Sequence, residues 1–516
     1  MPRIPILGGS YNLPSLIAGA QRSVNLFCEF NPEKSQAPVN TTHYVRPGLT
    51  PLGAPGGVSP LGAPLAPGRG RGLYASTTNR LFAVVDQTVY YITPDWAYVL
   101  LGQLATPATT PVYMSDNGTT LMGVDGSQSG FLIDLTATQV AGAFSQIGDA
   151  NFLGADRVDF IDGFLVLNKP GTTEWYSTTL LSAAFNGLYV GVKTASPDPI
   201  QTVLVIGREV WLFGTRKSEV WVNAGAFPFP FQILPGVMVE HGCAAKYSVA
   251  RNDIRLYWLS NNPEGGYMAM KSDQHGAVRI STSAVEAEWR RYPTITDAIG
   301  GCYQMRGHNF YKLHFPLADK TWGYDEATNQ WHEDNWIDIN GVLRRSRTPF
   351  YANAYGQNVA LDWSTGQLYK IDQDNFSDNG NPIACIRSLP HLIDDEDDRT
   401  THWRVIADVE VGTTPNTVQV PTPLSPWSSG FSPGFGPITI QEPPLMSLRV
   451  SRDRGGSWGN KVMQVMGAAG LYNNRPTWRR LGYGVDYVFE LSWSTPFRTA
   501  LNGVFDITEK HEADSD

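Results

Sequence analysis

The residues best arranged for chemistry in this 516-residue chain lie at Ser451, Asp453, Gly455 and Trp458, in the frame Ser-x-Asp-x-Gly-x-x-Trp. An Asp at that spacing can accept hydrogen bonds from backbone N–H groups in a tight turn. Gly455 can take positive φ, and Trp458 can pack beneath the turn. The same carboxylate could instead serve in sugar chemistry, which needs two placed carboxylates around a glycosidic bond. No other recognisable constellation competes with it. There is no GxGxxG, P-loop, HExxH or GxSxG, and the nine histidines are scattered. His241, His308, His314 and His332 stand in or beside repeated strand units and read as packing or surface groups rather than bases. Cys28, Cys243, Cys302 and Cys385 are far apart, with no CxxC pair, so a disulfide framework or zinc site is not expected. No metal or cofactor is predicted, and no catalytic residue.

The elements that must position these residues are strands. Gly (51) and Pro (36) are abundant, and charged residues are only 17%, below the roughly 25% usual for globular domains. Short apolar runs recur from residue 71 onward, each followed by a polar turn and an aromatic-rich second strand. Examples are VYMSDNGTTLMGVDG from Val112, VDFIDGFLVLN from Val158 and VLVIGREVWLFG from Val203. Units begin near residues 73, 112, 158, 203, 248, 300 and 350, matching the roughly 40–50 residues of a propeller blade. The expected fold is therefore all-β: a β-propeller of about seven blades, or six with an irregular unit, over 71–376. An extended arm and a Gly/Pro-rich strap precede it (1–70). A sandwich-like C-terminal β domain follows (377–516), interrupted by a Pro/Gly/Ser-rich loop (412–445).

Formal charge is −9, from 39 basic and 48 acidic residues. Proteins that grip nucleic acid through its phosphates carry a basic surplus, so extensive phosphate binding is not expected. The acidic run Asp394, Asp395, Glu396, Asp397, Asp398 reads as a solvated loop. MPRIPILGGS lacks an apolar core long enough for a signal peptide, and no apolar run approaches membrane-span length; synthesis and folding in a cytoplasm are expected. Asp boxes are also familiar from sialidase propellers, which usually carry one per blade. Here there is one, beyond the repeats, so a glycan-binding or glycan-cleaving propeller is the alternative reading and a structural hairpin the preferred one.

The stretch LRVSRDRGGSWG…TWRRLGYGVDYVFELSWSTP (Ser451 to Trp458, Trp478 to Gly482, Trp493 to Pro496) resembles the C-terminal segment of phage tail proteins. MPRIPILGGSY, QRSVNLF (Gln21 to Phe27), NPE (Asn31 to Glu33) and RPGL (Arg46 to Leu49) extend the likeness to the other end. Together they resemble the packaged DNA stabilization proteins of short-tailed bacteriophages, also called tail accessory, hub or nozzle proteins. The resemblance implies a virion protein of the tail: a homo-oligomeric, hexameric ring below the portal and its head-to-tail adaptor. Such a ring closes the DNA channel with a tail needle or plug, carries tail spikes or fibres, and passes double-stranded DNA on ejection. The expected subunit or partner contacts are Arg3, Ile4, Arg22 and Asn25 on the arm, and Trp427, Phe431 and Phe435 on the loop.

Overall fold

The computed structural model describes residues 3–6, 8–12, 20–31, 41–53, 68–107, 109–138, 143–261, 266–393, 399–411, 418–419, 439–440, 444–467 and 474–511. They form two compact units: Leu49–Asp372, and Met1–Gly48 together with Gln373–Asp516. The fold is all-β, with one short helix (Ser283–Trp289) among the described residues.

The Leu49–Asp372 unit is a β-propeller. Six of its blades are four antiparallel strands taken consecutively from the chain, over residues 70–103, 113–146, 158–192, 200–239, 250–279 and 299–333. A further blade uses Phe350–Ala354, Gln357–Leu361 and Leu368–Asp372, and borrows its fourth strand from Gly48–Gly53. Gln367 Nε2 donates to the Gly53 carbonyl at 2.6 Å, and Thr50 Oγ1 donates to Asp372 Oδ2 at 3.2 Å, holding that strand in place. Two-residue turns join the first and second strands of several blades. Asp162-Gly163, Arg306-Gly307 and Tyr355-Gly356 have positive φ at both positions (47° and 88°, 49° and 82°, 52° and 73°), the geometry that matches strand twist in a tight hairpin.

Each blade hides its second strand: Leu81–Val85 and Phe164–Asn168 are buried along their whole length. Aromatic and branched side chains fill the space between neighbouring blades. Trp175 packs edge-on to Trp221 at 5.4 Å, and Trp211, Phe213 and Trp258 fill the next gap. Leu361 and Leu368 of the 350–372 blade share a core with Leu81, Val85 and Ile92 of the 70–103 blade, which joins the last blade to the first.

The other unit is a sandwich. One sheet runs Leu26–Phe30, Thr41–Val45, Thr499–His511, Arg399–Val411, Thr477–Gly484, with Arg3–Ile4 paired to Thr499–His511; the other contains Ala20–Val24, Cys385–Ser388, Asp486–Trp493, Leu445–Ser451 and Val462–Val465 in that order. Val405, Ala407, Val409, Trp478, Leu501 and Val504 from the first sheet meet Met446, Leu448, Phe489, Leu491 and Trp493 from the second in one core.

The division of the chain differs from the expected 1–70, 71–376 and 377–516. Among the described residues of the N-terminal segment, Arg3–Ile4, Ala20–Val24, Leu26–Phe30 and Thr41–Val45 are strands of the sandwich, not a free arm, because their hydrogen-bonding edges find partners near the other end of the chain. The strap 54–67, the acidic run 394–398 and nearly all of loop 412–445, with Trp427, Phe431 and Phe435, lie outside the described residues.

Candidate functional site

The first strands of the blades are the ones that neighbour each other around the propeller, and they enclose a central channel. Tyr74, Tyr113, Arg157, Leu204, Arg251, Cys302 and Tyr351, one from each blade, line it. Its free volume is about 210 Å³. Glycines let the inner strands approach: a Cβ on Gly300 would strike the Ser248 carbonyl, and one on Gly72 the Val112 carbonyl.

Ionisable side chains bridge this channel. Asp159 Oδ2 accepts from the Val205 amide at 2.8 Å and from Arg251 Nη1 at 2.9 Å, and its Oδ1 accepts from the Phe160 amide at 2.9 Å. Arg251 Nη1 also donates to the Val205 carbonyl at 2.6 Å. Arg157 lies over the Tyr113 ring at 4.1 Å and donates through Nη1 to the Val249 carbonyl at 2.7 Å. One guanidinium thereby ties together segments of three blades. Burial lowers the pKa of Arg157 from its ordinary value and pushes the Tyr113 hydroxyl up to about 12. Burial also pushes Cys243 up to about 12 and raises Cys302, so both thiols stay protonated at neutral pH. Nothing in the sequence singled out Tyr113, Arg157, Asp159 or Arg251. The available signal was a charged residue inside an otherwise apolar inner strand, as in Arg157-Val158-Asp159 and Ala250-Arg251-Asn252.

The Ser451–Trp458 turn lies in the sandwich, between Leu445–Ser451 and the strand Val462–Val465 that returns against it. Asp453 Oδ1 accepts from the Ser457 amide at 2.7 Å and from Ser451 Oγ at 2.7 Å, and Oδ2 accepts from Ser457 Oγ at 2.5 Å. Ser451 Oγ in turn accepts from the Gly455 amide at 2.8 Å, and Gly455 sits at φ 90°. The carboxylate thus takes one backbone amide and two hydroxyls rather than a set of amides. The Ser457 and Ser451 bonds hold its pKa down at about 2. Trp458 is half-buried with the Arg449 guanidinium 4.5 Å from its ring centre, and Arg449 is paired to Glu490 at 2.6 Å.

Of the expected contact residues on the N-terminal segment, two are interior. Asn25 is fully buried at φ 56°, accepts from Arg46 Nε at 2.9 Å and donates to the Ala384 carbonyl at 2.7 Å. Ile4 is 3% exposed in the sandwich core. Both are corrected from partner contacts to fold residues: the strands carrying them are inserted, so their side chains are already spent. Arg3 is half-buried and donates to the Asn502 carbonyl, and Arg22 is half-buried opposite Ser388.

Among the described residues no group of three His, Cys, Asp or Glu side chains is placed to hold a metal ion, and no helix is long and apolar enough to cross a membrane.

A family model described as bacteriophage P22 Gp10, β-propeller, matches residues 33–376. No curated protein matches the chain. Solved structures similar to it include BamB from Moraxella catarrhalis (8% identity, TM-score 0.38, 63% of this chain and 97% of that one) and the N-terminal domain of Nup159 (8% identity, TM-score 0.39, 68% and 98%).

Proposed function

This chain belongs to the phage-stabilisation family of P22 Gp10 β-propellers, and from that premise we propose that it works in the tail as a ring-forming hub or nozzle. In this reading copies of the chain assemble below the portal and its adaptor, hexamerically. The ring closes the passage over packaged DNA with a needle or plug and gives spikes or fibres a place to attach. The role is structural, carried by shape and surface and not by a reaction.

The observation that carries this reading furthest, beyond the family itself, is the narrow propeller channel. About 210 Å³ bridged by Arg157, Asp159 and Arg251 has no room for a duplex whose major groove alone is about 12 Å wide. Any DNA passage must therefore run between copies, with each propeller serving as a rigid wall element. A ring needs a heterologous interface that closes by rotation. Large apolar side chains remain uncovered on the described propeller surface, including Phe227 (94% exposed) and Ile339 (99%), and such groups favour association. The formal charge of −9 suits a wall that lets DNA slide without sticking.

Imaging of the purified assembly tests the proposal. A hollow sixfold ring is the expected result; a monomer or trimer as the largest species under virion-like conditions would remove it. Duplex DNA should bind weakly at physiological salt, and tight binding with a steep salt slope would replace passage by grip. Deleting 418–440 should impair ring formation while leaving the monomer folded; a normal ring would take that loop out of the interface.

A further inference from the structure

We propose that the propeller channel binds one small anion, of the size of phosphate or a halide, seated on the Arg157 guanidinium. A guanidinium presents five N–H donors in a rigid plane. Arg157 spends one, through Nη1, on the Val249 carbonyl, and lays its face over the Tyr113 ring. None of its other N–H groups has a protein acceptor among the described residues, and the side chain lines the cavity.

The charge count around it points the same way. Two guanidiniums, Arg157 and Arg251, line the channel with one carboxylate, Asp159. Asp159 is already engaged by Arg251 and by the Val205 and Phe160 amides. Asp116, reached from the channel wall by the Tyr74 hydroxyl at 2.9 Å, is occupied as well by the Thr77 and Gly118 amides. No carboxylate lies within ion-pair distance of Arg157 among the described residues, so the lining carries one excess positive charge. Arg157 is half-buried and turned to the channel, where a bound anion gives its remaining N–H groups a charged acceptor.

The space fits. A cavity of about 210 Å³ is well above what a single water needs, enough for a halide with part of its hydration shell or for one phosphate. Because Arg157 contacts the blades at 113–146 and 158–192 and the segment entering 250–279, neutralising it should stiffen the closure of the propeller. The site does not depend on ring assembly.

Melting of the full-length protein in phosphate or chloride, titrated against gluconate at constant ionic strength, tests the proposal. The expected result is a saturable rise in Tm of about 2–5 °C. Arg157→Gln should lose the saturable part, and Arg157→Lys should keep a weaker one. A wild-type response that never saturates, or one unchanged in Arg157→Gln, overturns the assignment. Should Arg157→Gln fail to fold, bromide soaked into crystals of the wild-type protein decides: an anomalous peak beside the Arg157 guanidinium supports the site, and bromide ordered elsewhere with none in the channel overturns it.

Discussion

The propeller and the sandwich are both antiparallel β, yet they are assembled by opposite neighbour relations. In the propeller nearly every strand pairs with the next one along the chain, while the strand Gly48–Gly53 comes from outside the local order. In the sandwich the partners are remote. Arg3 stands opposite Phe505, Tyr44 opposite Ala500, and Ser23 opposite Arg387. Local pairing lets near-equivalent units stack with apolar wedges between them. Remote pairing requires the two chain ends to be locked to each other, and the sandwich does this with buried charge. Arg46 grips Asp378 through two bonds, Nη1 to Oδ1 at 3.0 Å and Nη2 to Oδ2 at 2.5 Å, with Nε on Asn25. Arg387, wholly buried, donates to the carbonyls of Ile6 and Gly9 and to Gln21 Oε1 at 3.0–3.2 Å.

The most severe way to break this contrast is to unlock the ends. Arg46→Ala strands the Asp378 carboxylate, 3% exposed, in the interior, and should cost about 3–5 kcal/mol by chemical denaturation. Removing the guanidinium of Arg208, which meets Asp162 at 3.0 Å on the open propeller surface, should leave the same denaturation curve in place. Equal effects would mean that buried charge does not distinguish the two units.

Acid is the next lever, because each unit holds a buried histidine whose pKa its surroundings lower strongly. Burial, reinforced by the Arg387 guanidinium, lowers His43 to about 3 in the sandwich. Burial, reinforced by Arg345, lowers His314 to about 3 in the propeller. An unfolded histidine takes its proton near pH 6.5, whereas these two refuse it until about pH 3. They cost nothing above pH 6.5, and the loss of stability grows as pH falls toward 3, reaching on the order of 3 kcal/mol apiece by pH 4. Stability measured between pH 7 and 4 should fall less steeply in His43→Gln and in His314→Gln than in wild type. If only His43→Gln flattens the curve, the sandwich opens first as a separate step; unchanged slopes in both would show that neither histidine carries the acid response.

The same contrast explains what was legible in the sequence. Blades announce themselves because each strand, turn and partner strand is contiguous, as in the run from Val158 through Asp162-Gly163 to Asn168. The strand Ala20–Val24 offered no such cue. AQRSV looks like a polar extended arm until its partner Cys385–Ser388 is known, and so Asn25 and Ile4 seemed available to a neighbouring subunit. The borrowed strand was hidden for the same reason: GLTPLG reads as the entry to a Gly/Pro strap, although it completes a blade. In the channel, Arg157 and Arg251 could not be recognised as converging, since only ring closure brings inner strands of different blades together.

A smaller effect probes how tightly the local design is drawn. Gly300→Ala puts a Cβ against the Ser248 carbonyl, which also accepts from Tyr311 Oη at 2.8 Å and so has little freedom to retreat. The expected loss is about 1–3 kcal/mol in thermal or chemical unfolding. Gly148→Ala, where an added Cβ meets nothing within 4 Å and φ is ordinary, should be neutral or slightly stabilising. A tolerated Gly300→Ala would mean that the inner strands slide apart more easily than a packed ring allows.

The least disruptive test concerns the Asp453 turn, which stands on the exposed surface of the sandwich and depends on neither remote pairing nor blade stacking. Its bonds from Ser451 and Ser457 are purely local, so Asp453→Ala should lower Tm only slightly and leave the buried clasps untouched. The pH dependence identifies the cause. A free aspartate protonates near pH 3.8, and here the folded group holds out to about 2. Its stabilisation is therefore complete above pH 4 and lost as pH falls through 2. The Tm gap between wild type and Asp453→Ala should close over that window, and it should persist if the change acts through packing and not through the carboxylate. Asp453→Asn, which keeps an acceptor but no charge, should show a smaller gap that closes over the same window. A wild-type Tm in Asp453→Ala at neutral pH would leave the Ser-x-Asp-x-Gly-x-x-Trp frame without a role in the turn, and would reopen it to a ligand.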